Sequence, residues 1–241
     1  MLDGFSIIPV LDLKGGVVVR AHAGDRANYR PIETPLATTS GAADVLAGLL
    51  ALAPFRQVYI ADLDAIEGAG DHRALVLALR QSHPAVEFWL DCGCAEAGAA
   101  RAIADAGIVP VLGSESLRDP AALGAVDAAL GTAGYVLSLD YRAGAFLGPA
   151  SLAERSALWP DRVIAMTLDR IGRNAGPDLD RLAAIKARAN GASVYAAGGV
   201  RDGCDVEALA ALGISGALVA SALHEGRLSQ AGLSCARRRG G

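Results

Sequence analysis

The chain has 241 residues, 52% of them hydrophobic, with a mean hydropathy of +0.34 and a net charge of −4 at neutral pH. That is enough apolar material for a large core in a single domain, and no broad basic field invites nucleic acid. No apolar run approaches the roughly 18 residues of a membrane span, and Met1-Leu-Asp-Gly does not read as a secretory leader, so a cytoplasmic protein with reduced cysteines is expected.

Taken in chain order, eight short apolar runs bounded by turn residues read as fully buried parallel strands: Phe5–Leu11, Gln57–Leu63, Val86–Asp91, Ile108–Gly113, Gly134–Asp140, Arg162–Leu168, Ser193–Ala197 and Gly216–Ala220. Stretches with helical period lie between them, over Asp71–Ser82, Glu96–Ala106, Pro120–Leu130, Leu179–Asn190 and Cys204–Leu212. Pro120 and Asp178 are suitable helix starts, and Gly107 and Gly213 suitable stops. His22 to Pro35 is a long polar loop after the first strand, of the kind that is usually functional. The Arg237-Arg-Arg239 end reads as a frayed tail over 231–241.

The second half of the chain repeats the first. Val58-Tyr-Ile-Ala-Asp-Leu-Asp64 matches Val163-Ile-Ala-Met-Thr-Leu-Asp169, and Phe88-Trp-Leu-Asp-Cys-Gly93 matches Val194-Tyr-Ala-Ala-Gly-Gly199, about 105 residues apart. A duplicated four-strand unit, about 5–131 and 132–230, gives an α/β fold of the (β/α)8 TIM barrel type, with chemistry at the C-terminal strand ends. Asp12 to Asp64 takes 52 residues but Asp140 to Asp169 only 29, so helix 5 must be short or missing.

Gly198-Gly199 after strand 7 and Ala220-Ser221 after strand 8 form a phosphate cradle: glycines admit backbone N–H groups close to an anion, and the serine adds a hydroxyl. The sister positions in the first half carry Cys92-Gly93 and Glu115. A carboxylate beside a phosphate costs about 1 to several kcal/mol, so a ligand with one phosphate is expected. Asp12 and Asp140 end opposite strands and suit proton removal at one atom and donation at another. Asp64 and Asp169, the other repeat-related pair, are candidates for substrate contact or local capping. Lys14, one of two lysines, reads first as a solvated surface lysine and second as a candidate for anion contact or Schiff-base chemistry. Cys92-x-Cys94 is too close for a routine metal pair, and nothing calls for a metal, flavin or nicotinamide cofactor.

With these residues in view the chain resembles the HisA/HisF family of duplicated half-barrels. The likeness runs from Ile8-Pro-Val-Leu-Asp-Leu-Lys14 through Gly24-Asp25, Asp62-Leu-Asp64 and Leu139-Asp140 to Ala197-Gly198-Gly199-Val200 and His224-Glu-Gly-Arg227. The resemblance implies an isomerase with Asp12 and Asp140 as its catalytic pair, a phosphorylated small-molecule substrate held by Gly198, Gly199, Ala220 and Ser221, and further contacts from Lys14, Arg20, Asp25, Asp64 and Asp169. Where the family has Thr-Asp-Ile-Asp-Arg-Asp-Gly-Thr this chain has Met166-Thr-Leu-Asp-Arg-Ile-Gly-Arg173, and Cys92-Gly93-Cys94-Ala95-Glu96 stands for the run that grips a second phosphate. The chain is most similar to a HisA-related group found beside methanopterin and one-carbon coenzyme genes, to which the Gly24–Pro31 loop also points. An authentic histidine-pathway isomerase, a phosphometabolite-binding scaffold without turnover, and lyase or condensation chemistry through Lys14 are the competing expectations.

Overall fold

The computed structural model describes residues 4–228. β1 (Ser6–Lys14) turns at Gly15-Gly16 into β2 (Val17–Arg20), which pairs after a single 3-10 turn with β3 (Arg30–Pro31), and α1 (Ala42–Leu52) follows. Next come β4 (Gln57–Asp62), the short α2 (Leu63–Glu67), α3 (Arg73–Ser82), β5 (Glu87–Asp91), α4 (Ala97–Asp105), β6 (Val109–Gly113) and α5 (Ala121–Leu130). The second half contains β7 (Val136–Arg142), β8 (Ala145–Leu147), α6 (Ala150–Glu154), β9 (Arg162–Thr167), α7 (Leu179–Arg188), β10 (Ser193–Ala197), α8 (Gly203–Ala211), β11 (Gly216–Val219) and α9 (Ser221–His224).

Strands β1, β4, β5, β6, β7, β9, β10 and β11 pair in that order, all parallel, and β11 returns to β1. The sheet is therefore a closed (β/α)8 barrel, and the eight apolar runs of the sequence are its staves. Closure leaves alternate residues to fill two cores. Ile8, Tyr59, Trp89, Val136, Ile164 and Tyr195 point inward, with Trp89 edge-on to Tyr195 at 5.0 Å between centroids. Leu11, Val58, Ile60 and Leu137 point outward beneath helices such as α1, which contributes Val45, Leu46 and Leu49.

Helix 5 is short, as the missing residues require. The connection after β7 is the β7–β8 hairpin, the five-residue α6 and one 3-10 turn at Ser156–Leu158. Two boundaries differ from the sequence reading. Asp12 and Asp140 do not end their strands but lie two residues inside them, because β2 and β8 each fold back antiparallel and carry the ladder on to Lys14 and Arg142. Asp178 does cap α7, accepting from the Arg181 amide at 3.2 Å. The arginine-rich tail lies outside the described residues.

Candidate active site

The register of the barrel sets the floor of the site. Asp12 stands level with Ala61, and Ala61 with Asp91; Asp140 stands level with Met166, Met166 with Ala197, and Ala197 with Leu218. All seven line one cavity at the C-terminal mouth. Ala61, Ala197 and Gly113 are too small to fill the mouth, which leaves room for a ligand above the packed core. The β2–β3 connection contributes Gly24, Arg26 and Tyr29 to the wall, Ile32 follows β3, and the β9–α7 loop contributes Ile171, Gly172 and Asn174.

Three carboxylates share this floor. Asp12 is partly buried and makes no hydrogen bond among the described residues; removal from water pushes its carboxyl up to about 7, against an opposing pull from Arg26. Asp140 is 5% exposed and held on both oxygens, by the Ser138 hydroxyl at 2.6 Å and by the Glu115 amide at 3.1 Å. Burial also raises it to about 7, despite those donors. Asp91 accepts from the Gly93 amide at 3.1 Å and the Tyr59 hydroxyl at 3.2 Å, and burial raises it to about 6. Both Asp91 and Asp140 aim an oxygen at the space over Gly113, where a Cβ would stand 3.5 Å and 3.2 Å from them.

On the other side of the mouth, Gly198 and Gly199 adopt φ of +101° and +88°. A Cβ on Gly199 would lie 2.3 Å from the Gly176 carbonyl oxygen, so the backbone comes as close to the mouth as it does only because no side chain intervenes. Ala220, Ser221 and the buried His224 complete this wall, and burial holds His224 down at about 4, keeping it neutral.

The duplicated halves treat their equivalent positions differently. Gly93 corresponds to Gly199 and Glu115 to Ser221, and in the first half both amides are already taken, Gly93 N–H by Asp91 and Glu115 N–H by Asp140. The Glu115 side chain in turn pairs with Arg26. Among the described residues the amides of Gly199 and Ser221 have no carboxylate partner.

The sequence-predicted residues divide accordingly. Asp12, Asp140, Arg20, Gly198, Gly199, Ala220 and Ser221 line the cavity together. Lys14, Asp25, Asp64 and Asp169 do not. Lys14 reaches sideways to Glu67 at 2.9 Å and the Arg26 carbonyl at 3.0 Å. Asp25 accepts from Asn28, Asp64 from the Gly15 amide, and Asp169 from the Ala143 amide, each local contact spending the carboxylate on a loop. Asp91, Tyr59 and Arg26 were missed. The internal repeat held a signal for the first two, since Asp91 falls where the sister strand has Ala197 and Tyr59 where it has Ile164. Among the described residues no three His, Cys, Asp or Glu side chains converge as a metal site, and no helix is long and apolar enough to cross a membrane.

A closed parallel barrel with glycines after β10, serine after β11 and buried carboxylates opposite, all at one C-terminal mouth, places the protein in the (β/α)8-barrel class. Residues 6–229 match the family described as histidine biosynthesis protein, and the chain belongs to that HisA/HisF family. It is 30% identical to a phosphoribosyl imidazole-4-carboxamide isomerase of Deinococcus radiodurans, over 92% of this chain and 94% of that one. The isomerase of Thermus thermophilus is 29% identical over 92% of this chain and 95% of its own. An uncharacterized protein of Methanocaldococcus jannaschii is 25% identical, again over 92% and 94%.

Proposed function

We propose that the chain is an acid–base isomerase, or a catalyst of a related carbonyl rearrangement, acting on a small substrate with one phosphate. The carrying observation is the asymmetry of the two halves: one pair of mouth amides is open beside Ser221, and the sister pair is capped by Asp91 and Asp140. A second phosphate in the capped half would displace neither carboxylate without leaving a buried charge unpaired, and it would lie beside Glu115.

The open wall holds the phosphate through Gly198, Gly199, Ala220 and Ser221. Asp12, with no hydrogen bond to hold it, takes a proton from the substrate carbon beside a carbonyl or imine. Asp140 delivers a proton to the oxygen on the other side, and the two transfers cancel over the turnover. A carboxyl near 7 suits both roles at neutral pH.

The histidine-pathway isomerase is the second reading, favoured by similarity over more than 90% of the chain to enzymes of that name, whose substrate, as the name says, carries two phosphoribosyl groups. A role in one-carbon coenzyme synthesis, in the cytoplasm, rests on the sequence resemblance alone.

The two readings part on a charge swap. Calorimetry with ribose 5-phosphate is expected to show binding that falls at least about tenfold in Ser221→Glu, which copies the sister position, and survives in Glu115→Ser. Binding unaffected by Ser221→Glu, or a sugar bisphosphate bound far more tightly than the monophosphate, would sink the one-phosphate reading.

A further inference from the structure

The two carboxylates over Gly113 are not independent. Asp91 reaches that space from β5 and Asp140 from β7, and β6 between them presents a residue without a side chain. Every donor the structure gives these carboxylates favours ionisation: Gly93 N–H and Tyr59 O–H on Asp91, and Ser138 O–H, Ser114 O–H and Glu115 N–H on Asp140. The charged and titratable groups facing them are Asp12 from β1, Tyr59 from β4, Cys92 and Cys94 from the loop after β5, Glu115 from the loop after β6, Tyr141 from β7, and Arg26 from the loop after β2. Arg26 is the one cation among those groups, and it is already paired with Glu115. Two ionised carboxylates cannot both stand over Gly113 at modest cost, so one proton stays with the pair, as in any close carboxylate couple.

We propose that Asp91 is a positioning residue for the acid of the site: it shares one proton with Asp140 across the Gly113 gap, and Tyr59 biases that proton towards Asp140 by donating to Asp91. This rests on the reading of Asp140 as the acid. It divides the labour on physical grounds, because Asp140 then carries a proton when the substrate arrives, whereas Asp12 stands apart without a hydrogen-bond partner and is left as the base. The step itself is a proton transfer from the Asp140 carboxyl to a substrate oxygen, leaving the pair doubly ionised until it is reprotonated. That repulsion keeps Asp140 protonated until a basic substrate oxygen arrives and favours its prompt reprotonation afterwards.

The test is an NMR titration of protein labelled with carbon-13 at its aspartate carboxyls, with Asp91 and Asp140 assigned from the signals lost in Asp91→Asn and Asp140→Asn. In Asp91→Asn the neighbouring charge is gone, and the Asp140 midpoint is expected to fall by about one pH unit or more. In Tyr59→Phe the Asp91 anion loses its donor, so the Asp91 midpoint is expected to rise and that of Asp140 to fall. A structural role for Tyr59 would not exchange the two midpoints in this way. An Asp140 midpoint unmoved in Asp91→Asn overturns the coupling, and should that variant not fold, midpoints unmoved in Tyr59→Phe do the same. The titration needs no ligand. It can fail while ribose 5-phosphate still binds at Ser221, or succeed when that binding does not, so the two readings fall separately.

Discussion

Asp12 shows what a carboxylate removed from water costs its own fold. Its carboxyl is raised to about 7 by removal from water. An unfolded aspartate titrates near 3.9, so between about pH 4 and 7 the folded chain holds a proton that the unfolded chain has released. Stability from this group is fully present below pH 4, declines through that window and is lowest above 7. Asp12→Asn is therefore expected to abolish turnover yet raise the melting temperature by a few degrees at pH 8, with little gain at pH 4. Melting curves at the two pH values check it; a gain equal at both would mean that Asp12 is not strained by its surroundings. Such strain was not legible in the sequence. An aspartate near a strand end reads the same whether its partner is an amide, as for Asp169, or a cavity, as for Asp12.

The elements that aim Asp12 are the β1–β2 hairpin and its anchor. The turn at Gly15-Gly16 has little side-chain bulk of its own and is fixed from outside. Gly16 N–H donates to His72 Nε2 at 2.8 Å, and Gly15 N–H to Asp64 at 2.7 Å. His72 Nδ1 is 2.8 Å from Asp62, which also accepts the His72 amide at 2.6 Å. Since Nε2 accepts, Nδ1 carries the proton, and the imidazole is a neutral bridge between two loops. His72→Ala would leave the exposed Gly16 amide to water and take one donor from buried Asp62, whose oxygens keep the Ala65 and His72 amides. A loss of about 0.5–1.5 kcal/mol is expected in denaturant unfolding, with faster hydrogen exchange at Gly15 and Gly16; a neutral substitution would show that the hairpin needs no anchor. The sequence leaves Asp64 open between substrate contact and local capping because it shows the repeat but not the hairpin that bends over to meet it. The same blindness applies to the connection after β7: its shortening is plain from spacing, but the β7–β8 hairpin that precedes the short α6 is not.

At the scale of the molecule, the internal repeat sets equivalent positions on two sides of one mouth, and the two sides differ in charge. A ligand that binds only the folded barrel raises its melting temperature by mass action. Ribose 5-phosphate at about 100 times its dissociation constant is expected to add about 2.7 kcal/mol, or roughly 5–10 °C for a chain of this size. A bisphosphate at the same excess over that constant should add no more, since its second group meets Asp91, Asp140 and Glu115. A clearly larger shift with the bisphosphate in scanning calorimetry would mean that the capped half opens to anions.

The sequence by itself determined the barrel. Eight apolar runs with punctuating glycines, the 105-residue repeat and the shortened fifth connection leave little else for the chain to become, because burial periodicity is a local property that packing then obeys. It also determined the glycine–serine wall and the altered sister positions, since both are read by aligning one half on the other. Only the tertiary structure decided which carboxylates face the cavity. Asp12, Asp91 and Asp140 come together from strands far apart in the chain, while Lys14, Asp25, Asp64 and Asp169 are drawn into loop contacts. That choice depends on register, on where two hairpins fold back, and on the space above Gly113, all of which are set by pairings between residues distant in sequence.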